Sequence, residues 1–164
     1  QLESLHEESF GWALSCCNHD ETEAEDVLQT SYLKVISGRA RFRGRSSFKT
    51  WLFGVIRNTA LEAGRRSRRR DERTLRLVTE DLEDLSQEPP DEAVARAEAA
   101  DALVRAMRGL SERQREVLHL VFYQGMSIAE AAGVMGISIG SARTHYHRGK
   151  ERLKELLGEE ESVA

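Results

Sequence analysis

The chain has 164 residues, 40% of them apolar and 32% charged, with a formal net charge of −4; this length suits one ordinary domain or two small ones. There is no run of 18 apolar residues, so no membrane-spanning helix is expected, and two prolines and twelve glycines exclude a collagen-like or low-complexity chain. The only cysteines, Cys16 and Cys17, are adjacent, which is poor geometry for a bridge and excludes a disulfide-framed mini-protein.

Helix signals dominate and strand alternation is nearly absent. Residues 2–17 read as a helix with Leu2, Leu5, Phe10, Ala13, Leu14 and Cys17 as apolar positions. Asp20 is a natural N-cap for a second helix over about 21–37, with Ala24, Val27, Leu28, Tyr32, Val35 and Ile36 at helical spacing. Residues 38–46 hold two glycines and four arginines and read as a loop. From about Ser47 a long helix runs through Trp51, Leu52, Val55, Ile56, Thr59 and Ala60 into the basic run Arg65 to Arg70. The stretch 72–91 is acidic, ends in Pro89-Pro90, and reads as a flexible linker. Four further helices are expected at about 92–109, 111–123, 127–135 and 138–157. Ser111 with Gln114, and Ser127 with Glu130, have capping-box spacing; Gly125 and Gly136 stand where helices should stop. The expected fold is therefore all-α, with two small helical domains at 1–71 and 92–158, a flexible acidic linker at 72–91 and an acidic tail at 159–164.

Charge is segregated along this plan. Residues 1–38 carry net −7, 39–73 net +9, 74–101 net −7 and 102–157 net +4. Twelve cations within 35 residues suit phosphates, whereas the acidic blocks would avoid DNA and face a basic protein surface.

Residues 127–148 have helix-turn-helix spacing. Small and apolar residues in the first helix permit close packing, Gly136 makes the turn, Ile137 plugs the gap, and Ser138 caps the second helix. Ala142 and Tyr146 should point inward. Arg143, Thr144, His147 and Arg148 are left outward near the helix start, where side chains enter a major groove, and Ser141 suits a phosphate. A zinc site from His119, His145 and His147 is disfavoured, because no cysteine is near and two helical positions two apart diverge by about 200°. No nucleophile–base pair or Gly-rich phosphate loop appears, so no catalysis, metal or cofactor is expected.

Two separate motif blocks carry a family resemblance. Residues 23–33 (Glu23-Ala24-Glu25-Asp26-Val27-Leu28-Gln29-Thr30-Ser31-Tyr32-Leu33), residues 42–61 from Phe42 to Leu61, and residues 110–118 followed by the helix-turn-helix resemble regions 2.2, 2.3–2.4 and 4 of the bacterial sigma factors of the extracytoplasmic-function class. The resemblance implies docking of Asp26 and Gln29 on the β′ clamp helices of core RNA polymerase, and contact of the second domain with the β flap. It implies that Phe42 and Asn58 line a pocket for a base flipped from the −10 element of promoter DNA. Melting costs a few kcal/mol per step, so the exposed strand has to be bound. Arg39, Arg41, Arg43, Arg45 and Lys49 would hold that strand by its phosphates, and Arg57, Arg65 and Arg66 would grip the flanking duplex. Trp51 is expected in the domain core, with Phe48, Leu52 and Val55 on the same apolar stripe. Ser141, Arg143, Thr144, His147 and Arg148 match the family's −35-reading positions. Where the family usually carries Arg and commonly Ala, this chain has His145 and Gly149. An anti-sigma partner follows from the same resemblance; a reducing cytoplasm is the location expected from the cysteine usage, and no membrane insertion is expected from the lack of a long apolar run. A competing reading is a sigma-like decoy that sequesters an anti-sigma factor without directing transcription; the intact Phe42, Asn58 and basic loop speak against it.

Overall fold

The structure, a computed structural model, describes residues 2–74 and 101–163. Every regular element among the described residues is helical. A 3-10 turn, Glu3–Leu5, leads into α1 (His6–Cys16), followed by α2 (Glu21–Ile36) and α3 (Phe48–Thr74). Residues 101–108 form α4. Then come α5 (Glu112–Leu118), which widens into a π-helical turn at His119–Tyr123, α6 (Ile128–Met135) and α7 (Ile139–Val163). α3 runs to Thr74, three residues into the expected linker; the rest of that stretch lies outside the described residues.

Local chemistry explains the boundaries. Asn18 and His19 take left-handed backbone angles (φ 52° and 65°) that turn the chain between α1 and α2. The Asp20 carboxylate then accepts from the Glu23 amide at 2.9 Å and starts α2. Both expected capping boxes form: the Ser111 and Ser127 hydroxyls each accept the amide three residues on, and the Gln114 and Glu130 side chains reach back. Gly136, at φ 63°, closes α6 in the left-handed region, where a Cβ would be strained.

The first three helices pack around Trp12, Val27, Leu28, Leu52, Phe53 and Ile56. Trp12 stacks on Phe53 with centroids 6.0 Å apart, and its indole N–H donates to the Phe53 carbonyl at 3.0 Å, so the polar edge of the ring is satisfied inside the core. α5, α6 and α7 form the second layer, with Leu118, Ala132 and Ala142 buried. α7 crosses α5 closely at Gly149: a Cβ there would lie 3.1 Å from Leu118 Cδ1 and 3.2 Å from Gln114 Cβ.

The two halves are not separate bodies. Val117, Leu120, Met126, Ala131, Val134 and Met135 share one continuous core with Trp12 and Phe53. α6 is the hinge of this arrangement. Its buried residues Ala131, Ala132, Val134 and Met135 span about 160° of the helix, wide enough to serve α7 on one side and α3 on the other. Gly133 and Gly54 lie at this contact: a Cβ on Gly133 would be 3.5 Å from Thr50 Cγ2, and one on Gly54 would be 3.9 Å from the Val134 carbonyl, both ordinary packing distances. The two expected helical modules thus also pack against each other, because the α6 stripe exceeds what its own helix-turn-helix partner can cover.

Gly149→Ala is expected to change stability by no more than about 1 kcal/mol, since the helix gain offsets a small shift of the Leu118 side chain. Gly149→Val should cost about 1–3 kcal/mol by overpacking the α5–α7 contact. Urea unfolding of the two variants beside wild type measures both.

Candidate nucleic-acid and polymerase interface

The first surface is the turn between α2 and α3. Gly38 and Gly44, both with φ near 70°, shape it, and neither would meet any atom if it carried a Cβ, so the turn stands clear of the body. Arg39, Arg41, Arg43 and Arg45 are all exposed; Arg41 folds back to donate Nε to the Gly38 carbonyl at 3.3 Å. Phe42, 43% exposed, meets Phe48 edge-on at 5.5 Å and lies 5.3 Å from Trp51. Phe48 and Trp51 are half-buried against the core and hold Phe42 up as an apolar platform. Asn58 is exposed seven residues after Trp51, and Arg65 seven after that; seven residues is two helical turns, so these three form one stripe along α3. Arg66 is exposed beside it.

Two cations expected on this surface turn inward. Arg57 is buried, donating Nε to Glu116 Oε1 at 2.6 Å and Nη2 to Glu116 Oε2 at 3.2 Å. Lys49 is half-buried; its Nζ donates to the Gln124 carbonyl at 3.0 Å, pairs with Glu8 and lies over the Phe53 ring. The expectation that Arg57 and Lys49 contact phosphate is not met in this arrangement. Arg57 precedes Asn58 of the outward stripe by one residue and Lys49 precedes Trp51 by two, about 100° and 200° around the helix, and both reach the second half of the protein instead.

The second surface is the start of α7. The Ser141 amide donates to Ser138 Oγ at 3.1 Å, and the Ser138 hydroxyl donates to Ser141 Oγ at 2.9 Å, which fixes the first turn. Ala142 is buried, while Ile137 and Tyr146 are half-buried against the core. Arg143, Thr144, His147 and Arg148 project outward. Thr144 spends its hydroxyl proton on the Gly140 carbonyl at 3.1 Å, which leaves its methyl free. Tyr146 is braced between Phe122, stacked at 6.0 Å, and the Lys150 ammonium, 5.3 Å above the ring.

The third surface is on α2, where Asp26 and Gln29 are exposed three residues apart. The structure extends this face with Leu33 and Ile36, 66% and 74% exposed. Ile36 was expected in the core. It falls instead on the i, i+3, i+7, i+10 stripe with Asp26, Gln29 and Leu33, a spacing legible in the sequence once the buried face is known to be Ala24, Val27, Leu28 and Ser31.

The titrating groups cluster at the seam between the halves. Burial pushes the Cys16 thiol well above its ordinary range, with Glu116 adding to the shift, and burial with Glu23 and Asp20 pushes Cys17 up to about 12. Both thiols stay protonated near neutrality and are poor nucleophiles. His119 lies 5.4 Å from the Trp12 ring and 5.2 Å from the Tyr123 ring, and burial, aided by His19, lowers it to about 4. No group of His, Cys, Asp or Glu among the described residues is arranged to hold a metal ion.

A helical body with an arginine-lined aromatic turn at one place and a helix-turn-helix at another defines a DNA-binding protein. Residues 3–70 match the Sigma-70 region 2 family, and residues 100–153 match Sigma-70, region 4. The chain is 34% identical over 146 residues to the ECF RNA polymerase sigma factor SigX of Bacillus subtilis, covering 86% of this chain and 75% of that protein. It is 36% identical over 136 residues to the RNA polymerase sigma factor CarQ of Myxococcus xanthus, covering 83% and 75%. The sigma factor RpoE of Bartonella quintana, solved with the anti-sigma factor NepR, has the same fold with a TM-score of 0.74 at 25% identity, over 96% of this chain and 94% of that one. The chain belongs to the sigma-70 family of RNA polymerase sigma factors, in its extracytoplasmic-function class. It is a transcription initiation factor that directs RNA polymerase to promoters.

His119 carries a pH signature. Its folded value of about 4 lies below the ordinary 6.5, so its contribution to stability is complete above pH 6.5 and is lost as pH falls toward 4, by an amount on the order of 3 kcal/mol. Wild type is expected to lose urea resistance over that window more steeply than His119→Gln, with no difference in slope between pH 7 and 8; parallel pH series of the two proteins check this.

Proposed function

We propose that the exposed turn and α3 stripe bind the −10 element and that the outward face of α7 reads the −35 element. Phe42 offers a stacking surface to an unstacked base, and Asn58 offers it a donor and an acceptor. Arg39, Arg41, Arg43 and Arg45 hold the strand by its phosphates, with Arg65 and Arg66 on the flanking duplex. On α7, Arg143, Thr144, His147 and Arg148 face base edges and Ser141 a phosphate. Asp26 and Gln29, with Leu33 and Ile36 beside them, dock on the β′ clamp helices, and the second half meets the β flap. Residues 1–71 then serve as region 2, 92–158 as region 4, 72–91 as the linker and 159–164 as the tail. The protein performs no catalysis of its own, works in the cytoplasm and is held inactive by an anti-sigma factor, the kind of partner with which RpoE was solved.

One observation carries this reading. The cationic turn and the outward face of α7 are both exposed, while the opposite faces of the same helices build the core. A sigma-like decoy would need no such DNA-facing chemistry.

Purified protein added to core polymerase should yield promoter-dependent transcripts on genomic templates; a decoy would give none and would fail to associate with core. Asn58→Ala is expected to weaken open-complex formation while leaving polymerase association intact. Arg143→Ala should reduce discrimination at its −35 base pair by about 1–3 kcal/mol. Equal behaviour of both variants and wild type on mapped promoters would refute the site assignments.

A further inference from the structure

The outward face of α7 has a gap in it. Gly140, Thr144 and His147 stand at i, i+4 and i+7 and so share one stripe, with Arg143 beside them; all four are exposed. Gly140 puts no side chain into that stripe. Nothing in the fold requires a glycine there. The nearest atom that a Cβ would meet is Ser138 Oγ, at 3.9 Å, and the backbone is not left-handed as it is at Gly136. Glycine also weakens a helix relative to alanine.

Thr144 borders the gap. A helical side chain leans toward the helix N-terminus and covers the turn before its own Cα, which for Thr144 is the turn of Gly140. The Thr144 hydroxyl bears this out by donating to the Gly140 carbonyl at 3.1 Å. That bond uses the only proton the hydroxyl has, so Thr144 cannot donate to a base, and its methyl is the group left for an incoming ligand. The oxygen still has lone pairs for an amino group, a contact that a valine could not make. On the C-terminal side, the His147 ring stands edge-on to Tyr146 at 5.5 Å, and Tyr146 is held between Phe122 and the Lys150 ammonium. On the N-terminal side, the Ser138 hydroxyl donates to Ser141 Oγ, so Ser141 keeps its own proton for a phosphate. A small apolar notch thus interrupts a face otherwise built of polar and charged groups.

In the major groove the bases differ mainly in donors and acceptors; thymine alone adds an apolar group, its C5-methyl. We propose that Gly140 and Thr144 form a notch for that methyl and select thymine at one position of the −35 element, with Thr144 as a specificity-determining residue beside Arg143. The proposal rests on the −35 assignment above. Gly140 supplies the room, and the Thr144 methyl supplies the apolar contact.

The test uses holoenzyme assembled from the full chain and core polymerase, on a mapped promoter whose −35 thymines are replaced one at a time by deoxyuridine. This exchange deletes the C5-methyl and keeps the base pair. At one position it should weaken promoter binding by about fourfold, the worth of one methyl-sized group taken from water. At that position, Thr144→Ser, which keeps the hydroxyl and loses the methyl, should bring the thymine-to-deoxyuridine ratio to about one. Thr144→Val, which loses the hydroxyl and keeps a methyl, should preserve it. Gly140→Ala fills the notch and should reverse the ratio in favour of deoxyuridine, with helicity and urea midpoint equal to wild type or higher. A −35 element without thymine, indifference to deoxyuridine at every position, a ratio that survives Thr144→Ser or Gly140→Ala, or one that Thr144→Val abolishes would overturn the notch. Arg143→Ala separates the two levels of the argument. If it lowers −35 discrimination while deoxyuridine has no effect, the notch fails and the −35 reading stands; if neither change matters, both fail.

Discussion

The packing of α6 against α3 is the constraint from which the rest of the structure follows. Gly54 on one helix and Gly133 on the other lie at the contact, and Val134, Met135, Trp12 and Phe53 share one core across it. Apolar burial supplies the attraction, at about 25 cal/mol per Å² removed from water, and it is indifferent to register. Register comes from the directional contacts at the edge of that core: the fork of Arg57 on Glu116, and Lys49 on the Gln124 carbonyl. The division resembles that within each half, where Trp12 contributes its area to the core and its single N–H, bonded to the Phe53 carbonyl, sets its orientation.

Each of the long helices therefore has two faces with different duties. On α3, Leu52, Phe53 and Ile56 are in the core and Arg57 crosses to α5, while Trp51, Asn58 and Arg65 follow the outward stripe. On α7, Ala142 and Gly149 lie against α5 and α6, and Arg143, Thr144 and His147 point away. Anchoring a recognition side chain on a rigid helix limits the freedom it loses on binding. The aromatic cluster does the same for a loop, because Phe48 and Trp51 hold Phe42 although its backbone lies in a turn. Electrostatics keeps the surfaces distinct: the cationic turn rises from a body whose first helices are acidic, so anionic partners are steered to the turn and basic ones to α2.

The seam also explains features that have no role on either surface. The two cysteines are not exposed sensors; burial and the carboxylates near them keep both thiols protonated. His119 is held neutral between Trp12 and Tyr123, an aromatic filler with a polar edge bonded to Gln124 at 3.3 Å. The π-helical turn that carries it, a geometry often found where a helix is locally adjusted to a neighbour, brings the ring to Trp12.

Much of this protein was legible in its residues. The helix boundaries, both capping boxes, the Gly136 turn and the outward set Arg143, Thr144, His147 and Arg148 follow from period 3.6, from the orphan amides of a first turn and from the need for a left-handed residue at a stop, all of which are properties of short segments. The exposed arginines around Phe42 follow from two glycines and four arginines at alternate positions. What the segments could not contain was which apolar faces meet. Ile36 has the spacing of a core residue and is exposed. Arg57 and Lys49 have the charge of phosphate ligands, yet they are paired with Glu116, Glu8 and the Gln124 carbonyl. Periodicity reports that a helix has an apolar face and how wide it is. Only the tertiary structure decides which neighbour covers each part of it, because that choice is made by shape and charge at residues 59 positions apart.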